Sequence, residues 1–445
     1  MPAPFDPSAP PAAPSPAFSA SAAAIARTAW GAILWLTVVL FAGGLMRMAF
    51  GPLQEAVKLD MGLSDFQISL VQGIATGLPV GLFSLPVAWM TDHGHRIRLL
   101  AGLIAICAIG TLWTGFSSGF NALFVARMLA SLGVACALTV VVSLCADLCP
   151  ADSRGRALVV VALGAVAGTA AGYVLGGSLF TYLQQHPLNL FGARPAWREI
   201  HILIGIGGLL LVPPLLAMRE PARHEVATTD TALSANLRAL WGRRAFLFPL
   251  FAGHLGVSMA DTAATIWAAP VLIRDFHLAP GEFAGWMGGV IMVGGVLGAV
   301  IGGLGADWGQ KTGRRGGILY AALIAVCIGI PTSLYPLMPT VAGFALMLCL
   351  LLLAGTTINL VATTAITVLI PNEERGVCMA SFGIINSVVG LSLAPTLVTV
   401  ASSAMGGEQH LGASLAITGF VTGVLSLIGY VFAYRNAPLP AVASR

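Results

Sequence analysis

Charge is what this sequence has least of. Only 9% of its 445 residues are Asp, Glu, Lys or Arg, while 57% are hydrophobic. A soluble globular chain carries about 25% charged residues. That shortfall, with a mean hydropathy of +0.89, excludes a soluble protein and leaves an integral membrane one. The net charge of +4 is too small to imply nucleic acid as a partner. No Cys-x-x-Cys pair occurs, and the seven cysteines (107, 136, 145, 149, 327, 349 and 378) are odd in number and lie in or beside apolar runs. That pattern argues against disulfides and structural zinc. Residues 1–26 contain no Lys or Arg, so they lack the basic start of a secretory signal. Their Pro/Ala/Ser-rich composition reads as a disordered tail. The eight histidines are scattered and no His-Glu-x-x-His occurs, so no constellation for a membrane-embedded enzyme is present and no cofactor is expected. "HGH" at 93–95 offers two ligands, too few for a metal site.

What is present is a series of apolar runs. Twelve are long enough to span a bilayer, at roughly 20 residues each. They fall near 29–50, 68–90, 99–117, 122–146, 157–183, 200–218, 245–273, 283–305, 317–337, 341–369, 377–403 and 411–434. With the N-terminus inside, sixteen Lys or Arg residues flank the spans on the cytoplasmic side and four (Lys58, Arg194, Arg198, Arg274) on the other. This positive-inside bias puts both termini in the cytoplasm and the chain in the inner cell membrane as a multi-pass protein.

The longest polar interruption, 219–244, carries five arginines near the midpoint. The chain therefore divides into a tail (1–26), a six-helix bundle (27–218), a cytoplasmic linker (219–244), a second six-helix bundle (245–435) and a C-terminal tail (436–445). A repeat supports the split. "AWMTDHGHRIR" with Asp92 follows the second span, and "GGLGADWGQKTGRR" with Asp307 follows the eighth, 215 residues later. "PADSR" (150–154) follows the fourth and "PNEER" (371–375) the tenth, 221 residues later. Such duplication is typical of secondary transporters.

At these residues the chain resembles the major facilitator superfamily. Ala88, Asp92 and Arg96 match that family's signature loop, and Gly303, Asp307, Arg314 and Arg315 match it less regularly. "LFVARMLASLGVA" (123–135) resembles its fourth-helix motif, and "WREIHILIGIGGLLLVPPLLAMREPAR" the sixth helix and exit of the spinster-like branch. The resemblance covers nearly everything beyond residue 27. It implies an all-α membrane fold of twelve transmembrane helices in two pseudo-symmetric six-helix bundles, working by alternating access without an obligate protein partner. It further implies that the loop residues gate one conformation, Asp92 with Arg96, Asp147 with Arg154, Asp307 with Arg314, and Glu373 or Glu374 with Arg375. Spinster-like transporters and the related anion–cation symporters usually carry Asp-Arg in the first helix and Glu seven residues after the fourth-helix Arg. Here those positions read Met46-Arg47 and Val134. Both acids associated with proton coupling are replaced, and both arginines stay.

An arginine within a span costs roughly 2.5–3.5 kcal/mol at the bilayer centre. Counting about 1.5 Å rise per residue from the flanking polar residues, Arg47 and Arg127 sit about 10 Å below the outer surface. Two readings fit: a cavity that meets an anion, whose oxygens a guanidinium can fork, or heads that snorkel to the interface. In the seventh span His254 and Asp261 share one helix face, with Ser258 between them and Trp267 beyond. An intramembrane acid is a functional candidate and His titrates near neutrality, which makes Asp261, then His254, the proton-coupling candidates. The alternative is an Asp held against an arginine as a fixed gate. Thr356, Asn359, Thr363 and Thr367 form a ridge on the tenth span that either faces a cavity or bonds back to its own helix. Gln72, Tyr173 and Asn386 are further lining candidates. Glycines at 164, 168, 172 and 176, and those of the eighth span, read as close helix packing.

The expected function is proton-coupled secondary transport of a small or amphipathic organic anion. Export of lipid-like or drug-like amphiphiles and proton-independent uniport or anion exchange are the alternatives.

Overall fold

A computed structural model describes residues 16–189, 191–223 and 233–438. Among them twelve helices are long and apolar enough to cross a membrane. They are α1 (Trp30–Met61), α2 (Asp65–His93), α3 (Arg96–Phe116), α4 (Phe120–Leu148), α5 (Ser153–Gln185), α6 (Ala196–Leu216), α7 (Arg244–Arg274), α8 (Pro280–Lys311), α9 (Gly317–Leu337), α10 (Val341–Leu369), α11 (Glu373–Ala404) and α12 (Glu408–Asn436). Every apolar run in the sequence corresponds to one of them. This is an all-helical, multi-pass membrane protein.

The helical run that contains α1 begins at Pro16, within the stretch assigned to the N-terminal tail. "SASAAAIA" is rich in alanine, the strongest helix former, so the helix continues through a stretch whose prolines lie upstream. Residues 1–15, 224–232 and 439–445, assigned to the tails and linker, fall outside the described residues. Within the linker, Leu233–Gly242 is helical. At the C-terminus Ala437 is fully buried and accepts a 2.5 Å hydrogen bond from Arg315 Nε.

Two apolar cores each belong to one half. One gathers Ile33, Leu100, Val140 and Leu215; the other gathers Phe246, Leu319, Ile358 and Tyr430. Both lie toward the linker. At the far end a third core is common to both halves, with Phe50, Tyr173 and Trp197 from the first and Trp267, Phe283 and Tyr335 from the second. The halves thus meet at the far end.

Glycine sets how closely the helices approach. A Cβ on Gly164, Gly168, Gly172 or Gly176 would meet Thr37, Phe41, Leu45 or Ala49 of α1 respectively, mostly at backbone atoms. On α8, Gly294, Gly298 and Gly302 lie against α10, while Gly288 and Gly295 face Val174 and Val166 of α5 in the other half. Gly168→Ala puts a methyl onto the Phe41 carbonyl. Overpacking of this kind costs about 1–3 kcal/mol. The expected result is a lower melting temperature than wild type in detergent. Gly155→Ala, on the same helix with open space around it, is expected to leave it unchanged or raise it.

Candidate functional site

Between the halves lies a cavity of about 370 Å³. From the first half Arg47, Gln72, Thr76, Arg127 and Thr169 reach it; from the second, His254, Ser258, Asp261, Thr262, Thr265, Thr356, Asn359 and Asn386. The polar residues of α7 recur at helical spacing along one side of that helix. Nine of the residues singled out in the sequence (Arg47, Gln72, Arg127, His254, Ser258, Asp261, Thr356, Asn359, Asn386) are brought to one space. Tyr173 and Trp267 are not. Both are fully buried in the shared core, where Trp267 Nε1 donates to the Pro395 carbonyl at 3.2 Å. The ridge on α10 divides as well. Thr356 and Asn359 line the cavity, while Thr363 and Thr367 donate to carbonyls of their own helix at 2.8–3.0 Å.

Arg127 is 1% exposed, donates from Nη2 to the Arg47 carbonyl at 3.2 Å and stacks over the Phe50 ring at 4.6 Å. Among the described residues its Nε and Nη1, and Arg47 Nε, have no hydrogen-bond partner. Among the described residues neither arginine forms an ion pair. Leaving a buried donor unpaired costs about 1–3 kcal/mol, so this corner of the cavity favours an anion. Asp261 also makes no ion pair with either arginine. Its Oδ1 rests 3.0 Å from where a Cβ on Gly355 would stand. Only glycine at 355 gives the carboxyl its full room.

The cavity roof joins the halves through amides. Gln72 Nε2 donates to Gln54 Oε1 at 3.0 Å, and Gln54 Nε2 to the Ile266 carbonyl at 2.6 Å. Above it sits a charged cluster that sequence reading missed. Arg274 forks Asp65 at 2.7 Å and also holds Glu55 at 2.5 Å, and Lys58 pairs with both Asp65 and Glu408. Glu408 in turn accepts from the Asp65 amide at 2.8 Å. The only sequence signal was a run of opposite charges at span ends, since all the pairs but Lys58–Asp65 join residues more than 200 positions apart. Arg274→Gln leaves Glu55 without its cation and Asp65 with Lys58 alone. Maleimide labelling of Val57→Cys, a position fully buried beside this cluster, is then expected to accelerate about tenfold, equivalent to ~1.4 kcal/mol. An unchanged rate would mean that the cluster does not hold this end shut.

At the linker end the pairing differs from expectation. Asp92 is exposed, and Arg96 instead pairs with Asp147 and, at 3.2 Å, with Glu220. The reason is position. Arg96 opens α3 and points inward, while Asp92 ends α2 on the outside. Glu220, just past α6, also accepts from the Arg96 and Ile97 amides at 3.1 and 3.3 Å and pairs with His95. Burial pushes the Glu220 carboxyl up, but these amide bonds and the Arg96 guanidinium outweigh it and hold it below its ordinary value. Arg154 donates to the Ala146 carbonyl at 2.7 Å. In the second half Asp307 and Arg314 are exposed and form no ion pair with each other, Glu374 pairs with Arg243 at 2.9 Å, and Arg375 donates to the Ile370 carbonyl at 3.3 Å.

Comparison with known proteins places this architecture. The Major Facilitator Superfamily model matches residues 36–395. The chain belongs to that superfamily. This facilitator is therefore a transporter that works by alternating access between its two halves. It is similar to an "MFS-type efflux pump" of Mycolicibacterium smegmatis, 24% identical over 91% of this chain and 92% of that protein. Its fold is similar to that of a bacterial homologue of the human lysosomal transporter Spinster, inward-facing and unoccupied, with a TM-score of 0.79 at 20% identity, covering 94% of this chain and 99% of that one. The nucleoside transporter NupG is a more distant likeness, with a TM-score of 0.67 at 12% identity over 90% and 98% of the respective chains.

Proposed function

We propose that this facilitator carries a small organic anion whose charge is met by Arg47 and Arg127, and that Asp261 takes up and releases a proton as the cavity changes sides. The observation that carries the reading is the pair of arginines in one cavity with no carboxylate partner among the described residues. A carboxylate or phosphate supplies the acceptors these guanidiniums lack. The cavity volume of about 370 Å³ is near the lower end for ligand pockets, roughly 300–1,000 Å³, which favours a small substrate over a bulky one. Asp261 supports coupling because a membrane-embedded acid without a cation partner can change protonation without breaking an ion pair. The positive-inside pattern supports cytoplasmic termini and residence in the inner membrane.

The test is uptake of a mixed organic-anion panel into proteoliposomes with and without an imposed pH gradient. Gradient-driven accumulation of an anion supports the reading; uptake indifferent to the gradient favours uniport or exchange. A second reading, export of an amphiphile, is favoured by the relative described as an efflux pump. It predicts extrusion of an amphiphilic dye from right-side-out vesicles and no response to small anions.

A further inference from the structure

The side of the cavity away from the arginines is also built for something. α11 is interrupted at Asn386–Leu391 by a π-helical turn, a rare distortion found often at functional sites. Here it turns the Asn386 side chain and the bare Gly390 toward α7. A Cβ on Gly390 would lie 2.8 Å from Asn386 Oδ1 and 2.9 Å from Ser258 Oγ. Glycine at that position leaves a gap between two side-chain oxygens of different helices. Among the described residues Asn386 Oδ1 has no well-formed hydrogen bond. One turn away His254 is 3% exposed and packs on the Phe382 ring at 4.5 Å. It lies beside Asn386, yet among the described residues neither ring nitrogen makes a well-formed hydrogen bond. All three side chains line the cavity.

We infer that this is a hydroxyl-binding subsite, and that the transported anion carries a hydroxyl group away from its charged end; the second clause rests on the anion reading above. A hydroxyl both donates and accepts, an amide oxygen only accepts, and a neutral imidazole donates from one nitrogen and accepts at the other. One substrate hydroxyl can donate to Asn386 Oδ1 while accepting from His254 or Ser258. A second carboxylate offers no proton to Asn386 Oδ1, and a methyl leaves all three groups unpaired. Sites built to hydrogen-bond a hydroxyl discriminate strongly against analogues without one. His254 acts here as a neutral recognition group rather than as a proton carrier.

The experiment is isothermal titration of the purified full-length protein with matched anion pairs, 3-hydroxybutyrate against butyrate and gluconate against hexanoate. The hydroxylated member of each pair is expected to bind at least tenfold tighter. Ser258→Ala, which removes one partner, and Gly390→Ala, which fills the gap, are each expected to bring the ratio toward one, with a melting curve confirming that each variant is folded. A wild-type ratio near one for both pairs, or a ratio that neither variant moves, overturns the inference. Arg127→Gln separates the two ideas. If it weakens both members of a pair alike while the ratio persists, charge recognition and hydroxyl recognition both stand. If it changes neither affinity while the ratio persists, the anion reading fails and the subsite survives.

Discussion

Arg127→Gln is expected to lower organic-anion affinity by about a hundredfold, from the ~1.5–3 kcal/mol that a hydrogen bond to a charged group contributes, with the loss visible both by titration and as abolished uptake. Arg127 is 1% exposed and held between the Phe50 ring and the Arg47 carbonyl, so its guanidinium is already oriented before a ligand arrives. Glutamine keeps a donor but removes the charge and the planar fork. Lysine keeps the charge, yet its point-like ammonium cannot present the same two-pronged geometry. Arg127→Lys is therefore expected to recover only part of the loss. Arg47→Gln is expected to have a smaller effect, because Arg47 is less deeply buried and its backbone carbonyl, which anchors Arg127, survives the change. Unaltered affinity in both variants would assign the two arginines to the scaffold.

Asp261→Asn is expected to uncouple the transporter. With one proton moved per cycle, a gradient of one pH unit supplies ~1.4 kcal/mol, so wild-type vesicles are expected to accumulate the anion about tenfold. The asparagine variant resembles the protonated acid in shape and charge at every pH. It is expected to equilibrate the anion without accumulating it, while retaining exchange of labelled for unlabelled anion. Accumulation that persists in the variant would move coupling elsewhere. Gly355→Ala offers a milder version, since the new methyl crowds the Asp261 carboxyl without removing it.

The twelve spans were legible because each is a long apolar run bounded by charge or by a short Gly/Ser/Pro-containing break, a signal that depends on local composition alone. The glycine stripes were legible for a similar reason: a four-residue spacing places them on one face, and the neighbouring helix indeed lies against it. Arg47, Arg127 and Asp261 stood out because a charge in a span is expensive wherever it points. Tyr173 and Trp267 looked equally polar-tipped, but a large aromatic in a span fills a core as readily as it lines a cavity, and here both fill the core. Arg274 and Lys58 with Glu55, Asp65 and Glu408 were hidden for the opposite reason. Charges at span ends are ordinary in sequence, and only tertiary proximity turns five of them into a cluster. Arg96 shows the same limit. The loop motif supplies the arginine, but its acids come from the ends of α4 and α6.

The shared core at the far end has a thermal consequence. Tyr173, Trp197, Trp267, Phe283 and Tyr335 are all buried in this shared core, where Tyr173 meets Phe283 across the halves, and separating the halves there would bring part of that apolar surface into contact with water. Hydration of apolar surface carries a heat capacity of about +0.45 cal/K/mol per Å², and the penalty for it shrinks on cooling. The balance between the two faces of this transporter therefore bends with temperature. In the cold, the closed far end loses part of the apolar burial that holds it together.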